Sequence, residues 1–287
     1  MEPIREASPE GNLARELEAL QRADRDRYLC ALAAPAQLRP DLVTLYAFNA
    51  ELAGIADKVS ETMLGLIRLQ WWRDALGDVA AGRDHRHHLV QDLAGVVKRR
   101  GLSLDLLNTL IDARERDVEA KQPADLAELE TYAGTTAGIL CELALESCIR
   151  EPHADWRQAA RSAGTAYGLI GIARATPYLA HHRRILLPMQ EMTVAGLPAE
   201  RLLELKPGSA IQPVVESIAI RAAELLAAAR KQRLPRSATP ALFPGRLAVA
   251  QLERLRRHSY DPFAAGSSAP SGLNIWRLMS ARWLGRI

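Results

Sequence analysis

A helical repeat of apolar residues along almost the whole chain is the feature that most constrains its fold. In one run, Leu42, Leu45, Tyr46, Asn49 and Leu52 recur at helical spacing, which places them on one face. Segments that alternate Val, Ile or Thr with polar residues are few, and short loops marked by Gly or Pro separate the runs. The pattern predicts an all-α protein with helices over 42–59, 63–76, 89–99, 104–120, 126–149, 156–179, 214–233, 242–258 and 273–284, and a long loop with a short helical turn over 183–213.

Charge is distributed unevenly along the 287 residues. The whole chain carries a net charge of +3, but the part from Leu226 onward carries +9 and the rest −6. A basic segment on an acidic body fits an anionic partner such as a membrane surface, a nucleic acid or an acidic protein face. A solvated basic face is the simpler explanation. We expect a membrane surface and no nucleic acid as partner.

The cysteines and the N-terminus bear on location. Cys30, Cys141 and Cys148 are too few and too scattered for a disulfide framework, which fits a reducing compartment. The first residues contain no apolar signal segment, and no stretch approaches the ~18 apolar residues of a membrane span. We therefore expect a cytoplasmic protein that is soluble or peripheral on the inner face of a membrane.

Two predicted helices are rich in glycine. Gly134 and Gly138 are four residues apart, and so are Gly164 and Gly168, with Gly171 one turn further. Each glycine inside a helix costs about 1 kcal/mol relative to alanine, so several together suggest a structural reason. One explanation is close packing between helices, which the spacing favours. The other is a cavity along the bundle axis for a long apolar molecule.

Five short motifs follow one another in a recognisable order. They are Leu-Tyr-Ala-Phe at 45–48, Trp-Trp-Arg at 71–73, Tyr-Ala-Gly-Thr-Thr-Ala-Gly at 132–138, Ala-Tyr-Gly-Leu-Ile-Gly-Ile-Ala-Arg at 166–174 and Arg-Ile-Leu-Leu-Pro at 184–188. In order and spacing they resemble the squalene/phytoene synthase family. The resemblance implies a single-domain isoprenoid-synthase-type helical bundle around a central cavity. It also implies an N-terminal extension over 1–23, the helical domain over 24–262, and a linker with a basic, Trp-containing tail over 263–287.

The family uses its cavity to bind two prenyl diphosphates. Two aspartate-rich motifs on facing helices hold Mg²⁺, which prefers carboxylate oxygens and stabilises the departing diphosphate. By resemblance, the residues expected to line the cavity here are Tyr46, Asn49, Gly134, Thr135, Gly138, Tyr167, Gly168 and Gly171.

The first aspartate-rich motif is degenerate in this chain. Ala53 and Gly54 stand where the family has aspartates, and only Asp57 remains. Glu51 and Glu61 lie nearby as imperfect substitutes.

The second motif has lost both of its aspartates. Ala175 and Leu179 occupy their positions after Arg174, and we expect Pro177 to break or kink the helix there. A single remaining carboxylate cannot assemble a three-Mg²⁺ diphosphate site. We therefore expect no catalytic residue, no metal site and no cofactor, with Mg²⁺ required only if the chain is an enzyme with atypical ligands.

The replacements themselves resemble one branch of the family. The segments 48–52, 68–73 and 173–178, the last followed by a basic pair and Leu-Leu-Pro, are similar to the branch that contains a mitochondrial assembly factor for respiratory complex I. That resemblance implies a non-catalytic role in building NADH:quinone oxidoreductase at a membrane, with a subunit of that complex as partner. Two alternatives remain open: a prenyl transferase of isoprenoid biosynthesis that uses Asp57 and Glu51, and a module that holds an isoprenoid or quinone-like lipid. An open apolar cavity would favour the lipid-binding module.

Three further segments are candidates for function. The histidines at 85, 87 and 88 could suggest a metal site, but they lack Cys or acidic partners at ligand spacing. We therefore expect a solvated loop there. The charged run over 112–119 predicts a helix on the protein surface, with oppositely charged side chains paired at i,i+4 spacing. The tail is typical of either an interfacial membrane anchor or a stripe that packs on the protein's own core or on a partner. Its candidate residues are Trp276, Arg277, Arg282, Trp283 and Arg286.

Overall fold

The computed structural model describes residues 9–265 and 278–279, and every regular element in this part of the chain is helical, as predicted. The α-helices are α1 (Pro9–Ala23), α2 (Arg25–Ala33), α3 (Arg39–Ala53), α4 (Ile55–Lys58), α5 (Thr62–Ala80), α6 (His88–Arg100), α7 (Leu104–Asp112), α8 (Glu115–Val118), α9 (Leu126–Ala133), α10 (Ile139–Cys148), α11 (Ala154–His181), α12 (Met189–Val194), α13 (Ala199–Leu203), α14 (Ile211–Lys231), α15 (Phe243–Arg257) and α16 (Pro262–Ala265). A π-helical turn covers Gly134–Gly138, and 3₁₀ turns cover Gly208–Ala210 and Arg236–Leu242.

Side-chain caps explain where several of these helices begin. Asp24 accepts a hydrogen bond from the backbone N–H of Arg27 at the start of α2 (3.0 Å). Asp125 accepts one from the N–H of Glu128 at the start of α9 (2.8 Å). Such caps satisfy N–H groups that have no partner within the helix, and each is worth about 1 kcal/mol.

The 28-residue helix α11 is the centre of the bundle, with α10, α14, α15 and the π-helical turn packed around it. Its contact faces are built from alanine and glycine, so neighbouring backbones approach closely. A Cβ on Gly164 would lie 2.8 Å from Cys141 Sγ, and one on Gly138 would lie 2.7 Å from Thr165 Oγ1. The packing explanation for the glycines is confirmed at these two positions.

Three predicted helices differ from the observed ones. The helix predicted over 42–59 is divided at Gly54 into α3 and α4, the one predicted over 126–149 contains the π-helical turn, and the one predicted over 104–120 ends at Asp112 before the short α8. The segment 183–213, predicted as a long loop with one short helical turn, contains two short helices, α12 and α13. Pro177 lies inside α11 without ending it, so the expectation of a break is wrong. One lost backbone hydrogen bond is tolerated because α11 is held on several sides by packing.

Both ends of the described chain pack onto the bundle. Helix α1 lies against α3, and α16, which spans the boundary between the predicted domain and the predicted linker, lies against α11. Leu278 is fully buried in the core. The predicted tail residues Trp276, Arg277, Arg282, Trp283 and Arg286 lie outside the described residues. No helix in the described part is long and apolar enough to cross a membrane.

Candidate functional site

A cavity of about 590 Å³ lies between the C-terminal end of α3 and the second half of α11. The end of α1, the start of α2 and the π-helical turn complete its walls. Small side chains on α11 leave this space open: a Cβ added to Gly171 would meet no atom within 4 Å. The lining mixes apolar groups such as Ile172 and Leu186 with charged ones.

The two degenerate motifs face each other across this cavity. Ala53 and Gly54 line it at the end of α3, with Asp57 on the adjoining α4. Ala175 and Leu179 line it from α11. At the four positions where the family has aspartates, the cavity is therefore lined by two methyl groups, one isobutyl group and the backbone of a glycine.

The remaining carboxylate of the first motif, that of Asp57, forms an ion pair with an arginine of the protein. Asp57 Oδ1 accepts a hydrogen bond from Arg184 Nη1 at 3.0 Å. Arg184 Nη2 lies 3.6 Å from Asp117 Oδ1, so one guanidinium bridges two carboxylates. Glu61 lies exposed before α5, and Glu51 pairs with Lys58 at 3.1 Å. Within the described residues, no group of three or more His, Cys, Asp or Glu side chains could hold a metal ion.

A buried polar network closes one wall of the cavity. Arg114 Nη2 donates to Asn49 Oδ1 at 2.9 Å, and Arg114 Nη1 donates to Asp117 Oδ2 at 3.0 Å. Tyr132 OH donates to Asp117 Oδ1 at 2.6 Å. Burial, followed by the charge of Asp117, raises the pKa of Tyr132 above its ordinary value, so its hydroxyl stays protonated.

This network corrects the expectation of a solvated helix over 112–119. Arg114 and Asp117 are both buried, because the chain turns between α7 and α8 and carries them beneath α3 and α9. Asn49 lies on the apolar face of α3, as its spacing predicted. Among the members of this network, it is the one that the sequence predicted to line the cavity.

A second buried pair lies at the start of α2. Arg27 Nη1 donates to Asp24 Oδ2 at 2.5 Å, and the Arg27 guanidinium lies 5.2 Å from the centroid of the Tyr167 ring. Tyr167 OH in turn donates to Asp26 at 3.4 Å, and Arg174 approaches the same carboxylate at 3.6 Å.

The charges that line the cavity are therefore balanced within the protein. In the described part of the chain, each charged lining residue has an opposite partner: Arg22 with Glu18, Asp24 with Arg27, Asp57 with Arg184, and Arg114 with Asp117. Such a cavity suits a neutral or apolar occupant better than a polyanion with its metal ions, because no carboxylate is left over to bind cations.

The cavity-lining candidates divide into two groups. Asn49, Tyr167, Gly168 and Gly171 line this cavity. Tyr46 is fully buried in the core, Gly134 opens into a separate hollow beside Arg161, and Gly138 packs on α11. Thr135 donates back to the carbonyl of Thr131 at 3.0 Å, within its own helical segment.

Comparison with known proteins agrees with this geometry. Residues 20–282 match the squalene/phytoene synthase family, and the chain belongs to that family. The fold is also that of a dehydrosqualene synthase in complex with ligand (TM-score 0.83, 19% identity, 96% of this chain and 97% of that one). Squalene synthase HpnC from Alicyclobacillus acidocaldarius superposes with a TM-score of 0.74 at 20% identity, covering 88% of this chain and 97% of that one.

Among curated proteins, the chain is similar to complex I assembly factors. The protein named NADH dehydrogenase (ubiquinone) complex I, assembly factor 6 from Rattus norvegicus is 35% identical over 250 residues, covering 86% of this chain and 74% of the rat protein. The Homo sapiens protein of that name is 34% identical with the same coverage. The Dictyostelium discoideum homolog is 26% identical over 86% of this chain and 70% of its own length.

Proposed function

We propose that this chain is a non-catalytic assembly factor for respiratory NADH:quinone oxidoreductase. The names of its curated relatives support the role. The observation that carries the non-catalytic part is the cavity, where Ala53, Gly54, Ala175 and Leu179 replace metal ligands. A subunit of the respiratory complex is the proposed partner, and the inner face of a membrane is the proposed location, with the protein attached peripherally from the cytoplasm.

The physical argument against prenyl transfer concerns the leaving group. Ionisation of a prenyl diphosphate needs cations that stabilise the departing charge, and protein sites hold those cations with several carboxylates. Asp57 is the one carboxylate of the two motifs, and Arg184 neutralises it. An enzyme that uses Glu51 is disfavoured as well, because Glu51 pairs with Lys58 on the surface.

Deletion of the gene in its own organism tests the proposal. We expect membranes to lose NADH:quinone oxidoreductase activity while succinate:quinone oxidoreductase activity is retained. The wild-type chain and the Asp57→Ala variant should restore the NADH:quinone oxidoreductase activity equally, because we propose no catalytic role for the Asp57 carboxylate. Failure of a folded Asp57→Ala protein to restore activity, or release of diphosphate from farnesyl diphosphate and Mg²⁺ by the purified chain, would contradict the non-catalytic assignment.

The open cavity favours a second candidate function, the holding of an isoprenoid or quinone-like lipid without turnover. A volume of about 590 Å³ lies within the range of small-molecule sites, and its charges are internally paired. Gly171→Leu should fill the cavity without strain, because a side chain there meets open space. Lipid that co-purifies with the wild-type chain and is lost from Gly171→Leu, measured by native mass spectrometry, would support this function. Equal lipid content in both proteins would exclude the cavity as its site.

A further inference from the structure

The outward face of α5 exposes four large apolar side chains. Met63, Leu64, Ile67 and Trp71 are 64%, 46%, 57% and 39% exposed. Their spacing places them together on one side of the first three turns of the helix. The opposite side is buried against the bundle and consists of Gly65, Leu69, Trp72, Ala75 and Leu76. We call the four exposed residues the α5 stripe.

The size of the α5 stripe limits what can cover it. The four side chains together expose roughly the area of two complete large side chains, about 300–400 Å². A stable interface with a second protein buries about 800 Å² on each partner. The stripe alone supplies less than half of such an area, whereas a short apolar row suffices for shallow insertion into the headgroup region of a bilayer.

The charge that lies within the α5 stripe is positive. From Thr62 to Trp71 the helix contains the exposed cation Arg68 and no acidic residue. Glu61 precedes the helix, and the first acid within it is Asp74, which accepts a hydrogen bond from Gln70 at 2.9 Å. Long aliphatic side chains with Trp and Arg are typical of a helix that lies at a membrane interface.

Trp71 is also held in a fixed position. Its ring lies edge-on to His85 and His87 at centroid distances of 5.4 and 5.3 Å, and against Trp72 at 4.9 Å. The histidine loop expected to be solvated is therefore partly buried against α5. Since these contacts fix the indole ring before binding, Trp71 loses little conformational entropy at a membrane surface.

We propose that the α5 stripe rests on an anionic lipid bilayer, with Met63, Leu64 and Ile67 inserted among the headgroups and Trp71 at their level. Arg68 lies beside the lipid phosphates. This inference deepens the proposed function and rests on it, because it states how the protein reaches a membrane-embedded complex.

Vesicle co-sedimentation of the purified full chain tests the α5 stripe. The probes are phosphatidylcholine vesicles with and without phosphatidylglycerol. We expect binding to the anionic vesicles, and we expect Ile67→Glu to lower the bound-to-free ratio by about tenfold or more, since it places a charge among the headgroups. The matched control is Ile220→Glu on α14, where the wild-type side chain is 51% exposed, and it should bind as the wild type does. Circular dichroism confirms that both variants fold.

Several outcomes would overturn the inference. These are no binding by the wild type, equal binding by Ile67→Glu, or an equal loss in Ile220→Glu. Loss of binding in Trp283→Ala, with Ile67→Glu unaffected, would assign the contact to the tail. A dimer that Ile67→Glu dissolves, without vesicle binding, would assign the stripe to a second copy. Vesicle binding is measured without the respiratory complex, so its failure is distinguishable from failure of the deletion experiment, which tests the proposed function alone.

Discussion

Glu16 on α1 provides a prediction whose magnitude follows from the structure. Its side chain is buried against α3 and α6 and accepts a hydrogen bond from Thr44 Oγ1 at 3.2 Å. Burial, followed by the charge of Asp92, raises the pKa of Glu16 from 4.5 to about 7. Arg99 lines the same hollow, but its guanidinium donates to Asp41 at 2.6 Å and is thus already paired.

The sign of the pH dependence follows from proton binding in the two states. Between pH 4.5 and 7 the folded protein holds a proton on Glu16 that the unfolded chain has released, so the free energy of unfolding falls as pH rises. Above pH 7 Glu16 is ionised in both states, and its cost stays constant at about 3 kcal/mol. Glu16→Gln removes this cost, because an amide stays neutral and can still accept from Thr44.

Urea unfolding at several pH values, followed by circular dichroism, measures the effect. We expect the stability advantage of Glu16→Gln over the wild type to grow by about 2–3 kcal/mol between pH 5 and pH 8.5. Glu18→Gln is the control, since Glu18 lies on the same helix with its side chain in solvent. A Glu16→Gln advantage that is constant across this pH range would refute the reasoning.

Three further predictions concern packing, the polar network and metal ions. Gly168→Leu should destabilise the fold by about 1–3 kcal/mol in thermal unfolding, because a Cβ there already lies 3.0 Å from Ala137 Cβ, while Gly171→Ala should be close to neutral. Arg114→Met should cost up to about 3–5 kcal/mol in urea unfolding because it removes the nearer of the two cations beside the buried Asp117 and the donor to Asn49, whereas Arg221→Met should cost at most about 1 kcal/mol because its pairs are near the surface. Addition of Mg²⁺ with inorganic diphosphate should leave the midpoint of thermal unfolding unchanged, and a rise that depends on both would show that the cavity still assembles a metal site.

Local chemistry made much of the architecture predictable, because the helix class and some helix starts depend on short-range signals. The cap at Asp125 lies three residues before Glu128, and the repeat from Leu42 to Leu52 lies on one buried face of α3. The π-helical turn was not predictable in this way. Its glycines carry little periodic signal, and its shape is associated with contacts to α11, which lies 16 or more residues further along the chain.

The buried network shows a second limit of sequence interpretation. Arg114 and Asp117 are three residues apart, as are Arg221 and Glu224, and both pairs form ion pairs, at 3.0 and 2.7 Å. The first pair is buried and the second is exposed. The two pairs differ because α3 packs over the first one. Its residue Asn49, which accepts a hydrogen bond from Arg114, lies 65 residues earlier in the chain. No local pattern around residue 114 contains that information.

The cavity does not depend on a bound ligand for its stability. Its charges are neutralised by ion pairs within the protein, and its volume results from small residues on a helix. Carboxylates facing each other across an empty site would repel, and metal ions would be needed to relieve the repulsion. Here arginines neutralise the remaining acids, so the cavity needs no metal ions to relieve a repulsion of that kind. The space itself results from Gly171 and Ala175 on a helix that is fixed by packing on its other faces. We therefore expect the bundle to keep its shape whether or not the cavity holds a lipid.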